Sequence, residues 1–233
     1  MQNQSEPKPS TRNPSKCPII RCPTVLSETA LLDHLLTEHK NIDLKPVEAG
    51  EKAVLSFQES IFPHGQPICM GLVLYGGKDE RSRPTQMGFS QRNSILSSNN
   101  LVYENHFPVL VMGCKTHLTD MLADDEIPAE IYNDICQRRE AAQDGSDPEK
   151  DIFVLWLIGP SVTRPVYGDL TISDSERINV RGCRMQVRDF KDFLLPKTFL
   201  SKGLDYLMVN RGGMNLLTRN GKQALEMEVF VAE

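Results

Sequence analysis

The sequence of 233 residues lacks any long apolar run, and this absence excludes a membrane-spanning helix. No stretch approaches the roughly 18 to 20 apolar residues that such a helix needs. Residues 1–16 also lack the apolar segment that directs secretion, so we expect a cytoplasmic or nuclear protein. In that reducing environment the six cysteines are expected to be thiols or metal ligands and not disulfides.

An excess of positive charge is absent as well. The formal net charge is -5, which argues against a globally basic nucleic-acid-binding protein. From Asp120 to Asp151, eleven acidic residues stand against three basic ones, so the rest of the chain is mildly basic. We therefore predict an acidic insert at residues 119–151. Within it, isoleucines four residues apart in IPAEIYNDICQRREAA indicate a short helix.

Signals for helices are otherwise scarce between residues 41 and 233, where short apolar runs dominate. KAVLSF, ICMGLVLYGG, FPVLVMGC and DIFVLWLIGP are rich in residues that favour sheets. ALEMEVFV alternates apolar and charged residues, as a strand with one buried face does. We predict a mainly β protein in which residues 41–233 form an antiparallel β-sandwich. Residues 1–16, with three prolines and no apolar pattern, are predicted to be a disordered tail.

Two cysteines and two histidines near the N-terminus have the spacing of a metal site. Two cysteines with two histidines are a common closed set of zinc ligands, and the spacing here is Cys17-x4-Cys22-x11-His34-x4-His39. We predict a zinc finger at residues 17–40 that binds one structural Zn²⁺, which supplies most of the finger's folding free energy. The alternative interpretation is a surface helix with incidental histidines and two loop cysteines.

The finger is predicted to contain a helix that begins after Ser27, a residue that favours helix N-caps. Histidines five residues apart lie about 140° apart around a helix axis, so the last turn must tighten or fray before both can bind one ion. The helix opens with ETAL, so Glu28 would face the phosphates of DNA with a negative charge, whereas DNA-reading helices present polar or basic residues there. Its four leucines exceed what a lone finger can bury and predict packing against the sandwich.

The segment RINVRGCRMQVR, residues 177–188, has an irregular strand pattern. Its first two apolar residues are even-numbered and the later ones are odd-numbered, so we predict a β-bulge at Gly182. Such a bulge would gather four arginines on one face of the strand: Arg177, Arg181, Arg184 and Arg188. The face is either simply solvated or a docking surface for an acidic partner or for the acidic insert, because arginine pairs with carboxylates through two hydrogen bonds.

The remaining cysteines lie in or beside apolar runs and are interpreted as small buried residues. The remaining histidines, His64, His106 and His117, lie near turns and are interpreted as surface or capping residues. No nucleophile motif and no phosphate-binding loop of the required spacing is present, so the sequence does not indicate an enzyme.

The finger and the strand segments resemble the seven-in-absentia family of ubiquitin ligases. Cys22 to His39, followed by NIDL, resembles that family's second zinc finger passing into the first strand. GLVLYGG, DIFVLWLIG, YGDLTI and DYLMVNRGGMNLLTRNGKQALEMEVFV resemble strands and the closing region of its TRAF-like substrate-binding domain. The resemblance implies a TRAF-like sandwich that binds a protein or peptide partner, and it suggests a homodimer as well.

The family's catalytic module has no counterpart in this sequence. A RING needs eight metal ligands, and the six cysteines, two of them in the finger, cannot supply such a set. The resemblance therefore implies a non-catalytic adaptor linked to ubiquitin-dependent degradation and does not imply ligase activity. The alternative function is a nucleic-acid-associated factor that uses the finger, the tail and the arginine face.

Overall fold

A computed structural model of the chain describes residues 14–77, 96–121, 150–192 and 205–232. Within these ranges the protein is mainly β, as the sequence predicts, and has few helices. The helix predicted in the acidic insert lies outside the described residues, as does the predicted tail up to residue 13. None of the described helices is long and apolar enough to cross a membrane.

Twelve strands and three α-helices are described. The helices are α1 (Glu28–Glu38), α2 (Leu118–Met121) and α3 (Arg211–Thr218). Short 3-10 helices cover Glu59–Ile61, Ser98–Tyr103 and Phe190–Asp192. The strands are β1 (Ser15–Lys16), β2 (Val25–Leu26), β3 (Leu44–Val47), β4 (Lys52–Phe57), β5 (Ile68–Tyr75), β6 (Phe107–His117), β7 (Asp151–Gly159), β8 (Tyr167–Ser173), β9 (Val180–Gln186), β10 (Arg188–Asp189), β11 (Leu207–Asn210) and β12 (Leu225–Ala232).

Strands β3 to β12 form two sheets. The larger sheet has the order β3-β5-β6-β7, and β10 and β11 both pair with the far edge of β7. The smaller sheet has the order β4-β12-β8-β9 and is antiparallel throughout. Two pairs at the margins of the larger sheet, β3 with β5 and β10 with β7, are parallel, which the sequence interpretation did not anticipate.

The amino-acid pattern of each strand follows its place in the sheets. All nine residues of β7 are buried, because it has partners on both edges and is covered on both faces. Such a position requires the continuous apolar run seen in DIFVLWLIG. In β12 the residues at alternating positions are buried and half-buried, so the predicted alternation is confirmed.

The two sheets approach closely where each contributes a glycine. A Cβ atom on Gly71 of β5 would lie 2.5 Å from Leu55 Cδ1 of β4, on the opposite sheet. A Cβ atom on Gly168 of β8 would lie 2.3 Å from Leu157 Cδ1 of β7. Each glycine therefore leaves the space that a buried leucine of the facing sheet occupies.

The N-terminal segment is docked on the sandwich through α1. Leu31, Leu32 and Leu35 are buried in the same apolar core as the two sheets, so the predicted packing of the leucines is confirmed. Glu28 of α1 pairs with Lys191 and accepts a hydrogen bond from Ser161 Oγ at 2.8 Å. The predicted boundary of the tail is wrong at its end, because residues 15 and 16 form β1 and pair with β2.

The bulge predicted at Gly182 is wrong. Strand β9 pairs with β8 in unbroken register from Val180 to Gln186. The apparent slip arose because neither even-numbered apolar residue lies on the core face: Ile178 lies before the strand and is 72% exposed, and Val180 lies in the strand and is 44% exposed. Gly182 has a different role: a Cβ atom there would lie 2.9 Å from the Thr171 hydroxyl, directly across the pair.

Candidate metal centre and partner-binding edge

The four predicted metal ligands converge. Their ligand atoms all lie within 4.8 Å of one another. Cys17 Sγ is 3.5 Å from His39 Nε2, and Cys22 Sγ is 3.4 Å from His34 Nε2. The two Nε2 atoms are 3.2 Å apart. Two thiols and two imidazoles held this closely can bind one metal ion.

Local backbone structure brings each ligand to this point. The chain reverses between β1 and β2, where the Cys17 amide donates to Thr24 O at 2.9 Å and the Cys22 amide donates to Ile19 O at 3.1 Å. Helix α1 ends at Glu38, and His39 leaves the helical conformation with φ -118° and ψ 45°. The predicted fraying of the last turn is therefore confirmed, and it turns the second histidine toward the first.

Burial shifts the ionisation of three of these side chains. Burial raises the pKa of Cys17 to about 12, so its thiolate needs a compensating positive charge. Burial lowers the pKa of His34, and the neighbouring His39 lowers it further. Burial also lowers the pKa of His39. Both imidazoles are held neutral, which leaves a nitrogen lone pair for an ion.

The four arginines predicted to share a face lie in different places. Because β9 has no bulge, Arg181 and Arg184 point to opposite faces of the sheet. Arg184 lies over the Tyr167 ring at 5.4 Å, with Nε 3.9 Å from Asp169 Oδ1. Arg177 sits in the turn before β9 with φ 57° and pairs with Glu226 and Glu228.

The fourth arginine belongs to the other sheet. Arg188 is the first residue of β10, which pairs with Ile158 of β7, and burial lowers its pKa. The structural premise of a four-arginine face is therefore wrong, because the four side chains occupy a turn, two faces of one sheet and the edge of another.

Strand β9 ends the smaller sheet, and its outer edge has no neighbouring strand among the described residues. The Asp174 amide donates to Asn179 O at 3.2 Å and the Val187 amide donates to Val166 O at 2.8 Å, so odd-numbered residues bond toward β8. Alternation then directs the amides and carbonyls of residues 180, 182, 184 and 186 outward. Consistently, the Gln186 amide contacts Asp205 Oδ2 at 3.4 Å.

Beside this edge lies a groove of about 440 Å³. Its apolar contribution comes from Met208, which is 45% exposed, and Leu216, which is 60% exposed. Arg181 supplies a positive charge, and the start of α3 supplies backbone at Gly212 and Gly213. The groove adjoins β9 through Arg181, and we call the groove and the outer edge of β9 together the β9 edge.

A second cluster of potential ligands was missed by the sequence interpretation. His64, His117 and Asp151 bring ligand atoms within 4.8 Å of one another. His117 and also His106 are buried, so their interpretation as surface or capping residues is wrong. No local spacing could have revealed this cluster, because only the pairing of the end of β6 with the start of β7 brings His117 opposite Asp151.

The fold and the first cluster define a class: a β-sandwich protein with an N-terminal Cys2His2 cluster that can bind a metal ion. Within that class, the chain belongs to the family defined by the domain of unknown function DUF4729, whose profile matches residues 16–220. The match covers the four potential ligands and strands β3 to β11, and it ends before β12. No curated protein matches the chain.

Proposed function

We propose that this protein is a non-catalytic module that binds a protein or peptide at the β9 edge and that uses a zinc finger as a structural support. The observation that carries the proposal is the outward-facing backbone of β9 beside the groove with Arg181. The resemblance to seven-in-absentia proteins adds a link with ubiquitin-dependent degradation in the cytoplasm or nucleus. Homodimer formation belongs to the same proposal.

Zinc is the ion that we propose for the Cys2His2 site. Tetrahedral zinc with its usual bond lengths separates sulfur from nitrogen by about 3.6 Å and nitrogen from nitrogen by about 3.3 Å. The sulfur–nitrogen distances of 3.5 and 3.4 Å and the nitrogen–nitrogen distance of 3.2 Å support this fit. With four protein ligands the shell is closed, so the ion would have a structural role.

The proposed binding mode is addition of an extended peptide to β9. A strand edge without a neighbouring strand provides a row of hydrogen-bonding groups, and neighbouring pockets select side chains. On β9 three of these groups contact side chains that a peptide would displace: Val180 O accepts from Arg181 Nη1 at 2.8 Å, Arg184 O from Cys183 Sγ at 3.3 Å, and the Gln186 amide donates to Asp205 Oδ2. Here the groove next to Arg181 would take one apolar side chain against Met208 and Leu216 and one carboxylate against the guanidinium. We therefore expect a partner segment that combines an apolar residue with an acidic one.

A nucleic-acid-associated function has less support. Glu28, Asp33 and the buried leucines of α1 contact the sandwich, so the finger helix is engaged along one side. The arginines lie apart, as described above. A partner that contacts phosphates would lose affinity steeply as salt concentration rises, whereas strand addition would depend only weakly on salt.

Two substitutions at one position test the strand-addition mode. Arg184→Pro removes an outward amide from an edge where proline is structurally tolerated, and Arg184→Ala removes only the side chain. With a panel of extended peptides that carry apolar and acidic residues, we expect NMR shifts along β9. Arg184→Pro should abolish them, and Arg184→Ala should retain most of the binding. Equal loss in both variants, or a steep salt dependence, would contradict the proposal.

A further inference from the structure

His64, His117 and Asp151 meet where the larger sheet reaches the surface. His117 is the last residue of β6 and lies directly across from Asp151, the first residue of β7. His64 is brought beside them by a bridge to Lys115, with the Gly65 amide donating to Lys115 O at 2.7 Å. The centres of the two imidazole rings are 4.5 Å apart. Three separate segments thus present their side chains to one point.

Two atoms at this point are buried without hydrogen bonds. His117 Nδ1 and Asp151 Oδ1 have no hydrogen-bond partner within the part of the chain that the structure describes. Their side chains are 9% and 5% exposed, and the two atoms are 3.5 Å apart. An unsatisfied polar group in such a position costs about 1–3 kcal/mol, and buried groups are usually satisfied by something.

We propose that His64, His117 and Asp151 form a second metal site, distinct from the finger, for a divalent transition-metal ion of the zinc type. Two imidazoles with one carboxylate are a ligand set that zinc and related ions use. Asp151 Oδ1 lies 3.5 Å from His117 Nδ1 and 3.9 Å from His64 Nε2. Tetrahedral bond lengths require about 3.4 Å between such atoms, so only a small closing movement is needed.

Arg211 prepares the carboxylate for this role. Its guanidinium binds Asp151 Oδ2 and Glu59 Oε1, and it lies 5.0 Å from the centre of the Phe153 ring. The contact holds one oxygen of Asp151 and leaves the other directed at the histidines, as outer-shell partners of metal ligands do. The two carboxylates and the one guanidinium leave a net negative charge next to the site, which favours a cation.

The site differs from the finger in being open. His64 has a side chain that is 38% exposed, so an ion can enter and leave from that side. Three protein ligands leave a fourth tetrahedral position for water or for a group from a bound molecule. The second ion is therefore expected to bind more weakly than the first and to exchange with solvent.

The test is equilibrium dialysis of the full chain against Co²⁺, with metal content measured by elemental analysis and by absorption spectroscopy. We expect the wild-type protein to bind two ions, one with thiolate-to-metal charge transfer and one without. His64→Ala should retain the first ion and lower the affinity for the second ion by at least ~100-fold. Loss of a ligand should cost at least as much as the loss of an outer-shell partner, which lowers metal affinity by up to about that factor. Gln66→Ala, an exposed neighbouring change, should bind both ions.

A second variant separates the two sites. Cys22→Ser should lose the charge-transfer band and retain the ion at His64, His117 and Asp151. Uptake of only one ion by the wild-type protein, or unchanged uptake by His64→Ala, would overturn the proposal. His64 is exposed and is not a ligand of the finger, so His64→Ala should leave the finger intact. Its result therefore tests the second site even if Cys22→Ser unfolds the finger.

Discussion

The finger and the sandwich hold their shapes by different means. In the finger the four ligand atoms lie within 4.8 Å of one another, while the buried leucines of α1 belong to the apolar core that the two sheets share. In the sandwich, β7 buries all nine of its residues between two partner edges and two covered faces. The finger thus contributes its apolar residues to the core of the sandwich and has no separate core. The sandwich forms its core from the two sheets without a metal ion.

This difference predicts how each part responds to a change. Removing the metal should open the finger and leave the sheets intact, because no strand of the finger pairs with either sheet of the sandwich. Altering the space between the sheets should destabilise the sandwich without touching the ligands. We expect the effects to decrease in size from the metal site to the sheet interface and then to a surface turn.

Loss of the finger's metal is expected to have the largest effect. Zinc binding contributes about 10–16 kcal/mol to the folding of isolated zinc-finger peptides. Cys22→Ser, or treatment with a chelator, should therefore remove amide hydrogen-exchange protection from β1, β2 and most of α1. Protection in β6 and β7 should remain, and Cys183→Ser, which alters a cysteine outside the cluster, should leave the finger unchanged. Uniform loss of protection would show that the two parts unfold as one.

Adding a single methyl group between the sheets should destabilise the sandwich. A Cβ atom on Gly168 would lie 2.3 Å from buried Leu157 Cδ1, so Gly168→Ala should lower the free energy of unfolding by about 1–3 kcal/mol. Denaturant unfolding followed by the fluorescence of Trp156 measures this loss. Combining Gly168→Ala with Leu157→Val should recover part of it.

Gly212 of α3 offers a matched control for this substitution. A Cβ atom on Gly212 would have no neighbouring atom closer than 3.8 Å, so Gly212→Ala should be neutral or slightly stabilising. Equal destabilisation by Gly168→Ala and Gly212→Ala would contradict the idea that the sheets meet at Gly168. Metal content should stay the same in both variants.

The smallest effect concerns pH and the turn between β8 and β9. Hydrogen bonds to its carboxylate lower the pKa of Asp174. The Asn179 side chain has the largest effect, and the backbone amides of residues 178 and 179 add to it. Because the pKa of this carboxyl is lowered in the folded state, its ionised form stabilises the fold at pH values above the pKa of an unperturbed Asp, about 4. This stabilisation is lost as the pH falls through that value and below it. The difference in unfolding free energy between wild type and Asp174→Ala should therefore shrink on acidification. A constant difference would exclude this role.

The features predicted from the sequence are those that depend on neighbours along the chain. The ligand spacing, the helix after Ser27 and the alternation in β12 each depend on residues within one short segment of the sequence. The same reasoning failed for residues 177–188, because it took exposed apolar residues for core residues: Ile178 lies before β9, and Val180 is 44% exposed. The arginine face was lost with the bulge.

The features that escaped prediction depend on contacts between distant segments. His64, His117 and Asp151 are far apart in sequence, and only the β6–β7 pairing and the Lys115 bridge unite them. The parallel pairs of the larger sheet arise where the chain crosses between sheets, and nothing in the short strands β3 and β10 indicates their direction. The closed Cys2His2 set was readable because its ligands lie within one small unit.

The position of β12 has a consequence for how the protein is made. This strand follows all the others in the sequence, yet it lies between β4 and β8 in the smaller sheet. While a ribosome is still adding residues before Leu225, β4 and β8 have been synthesised and their shared partner has not. A nascent or shortened chain therefore carries β4 without its partner and an exposed edge of β8, and we expect chaperones to bind the chain during this interval of translation.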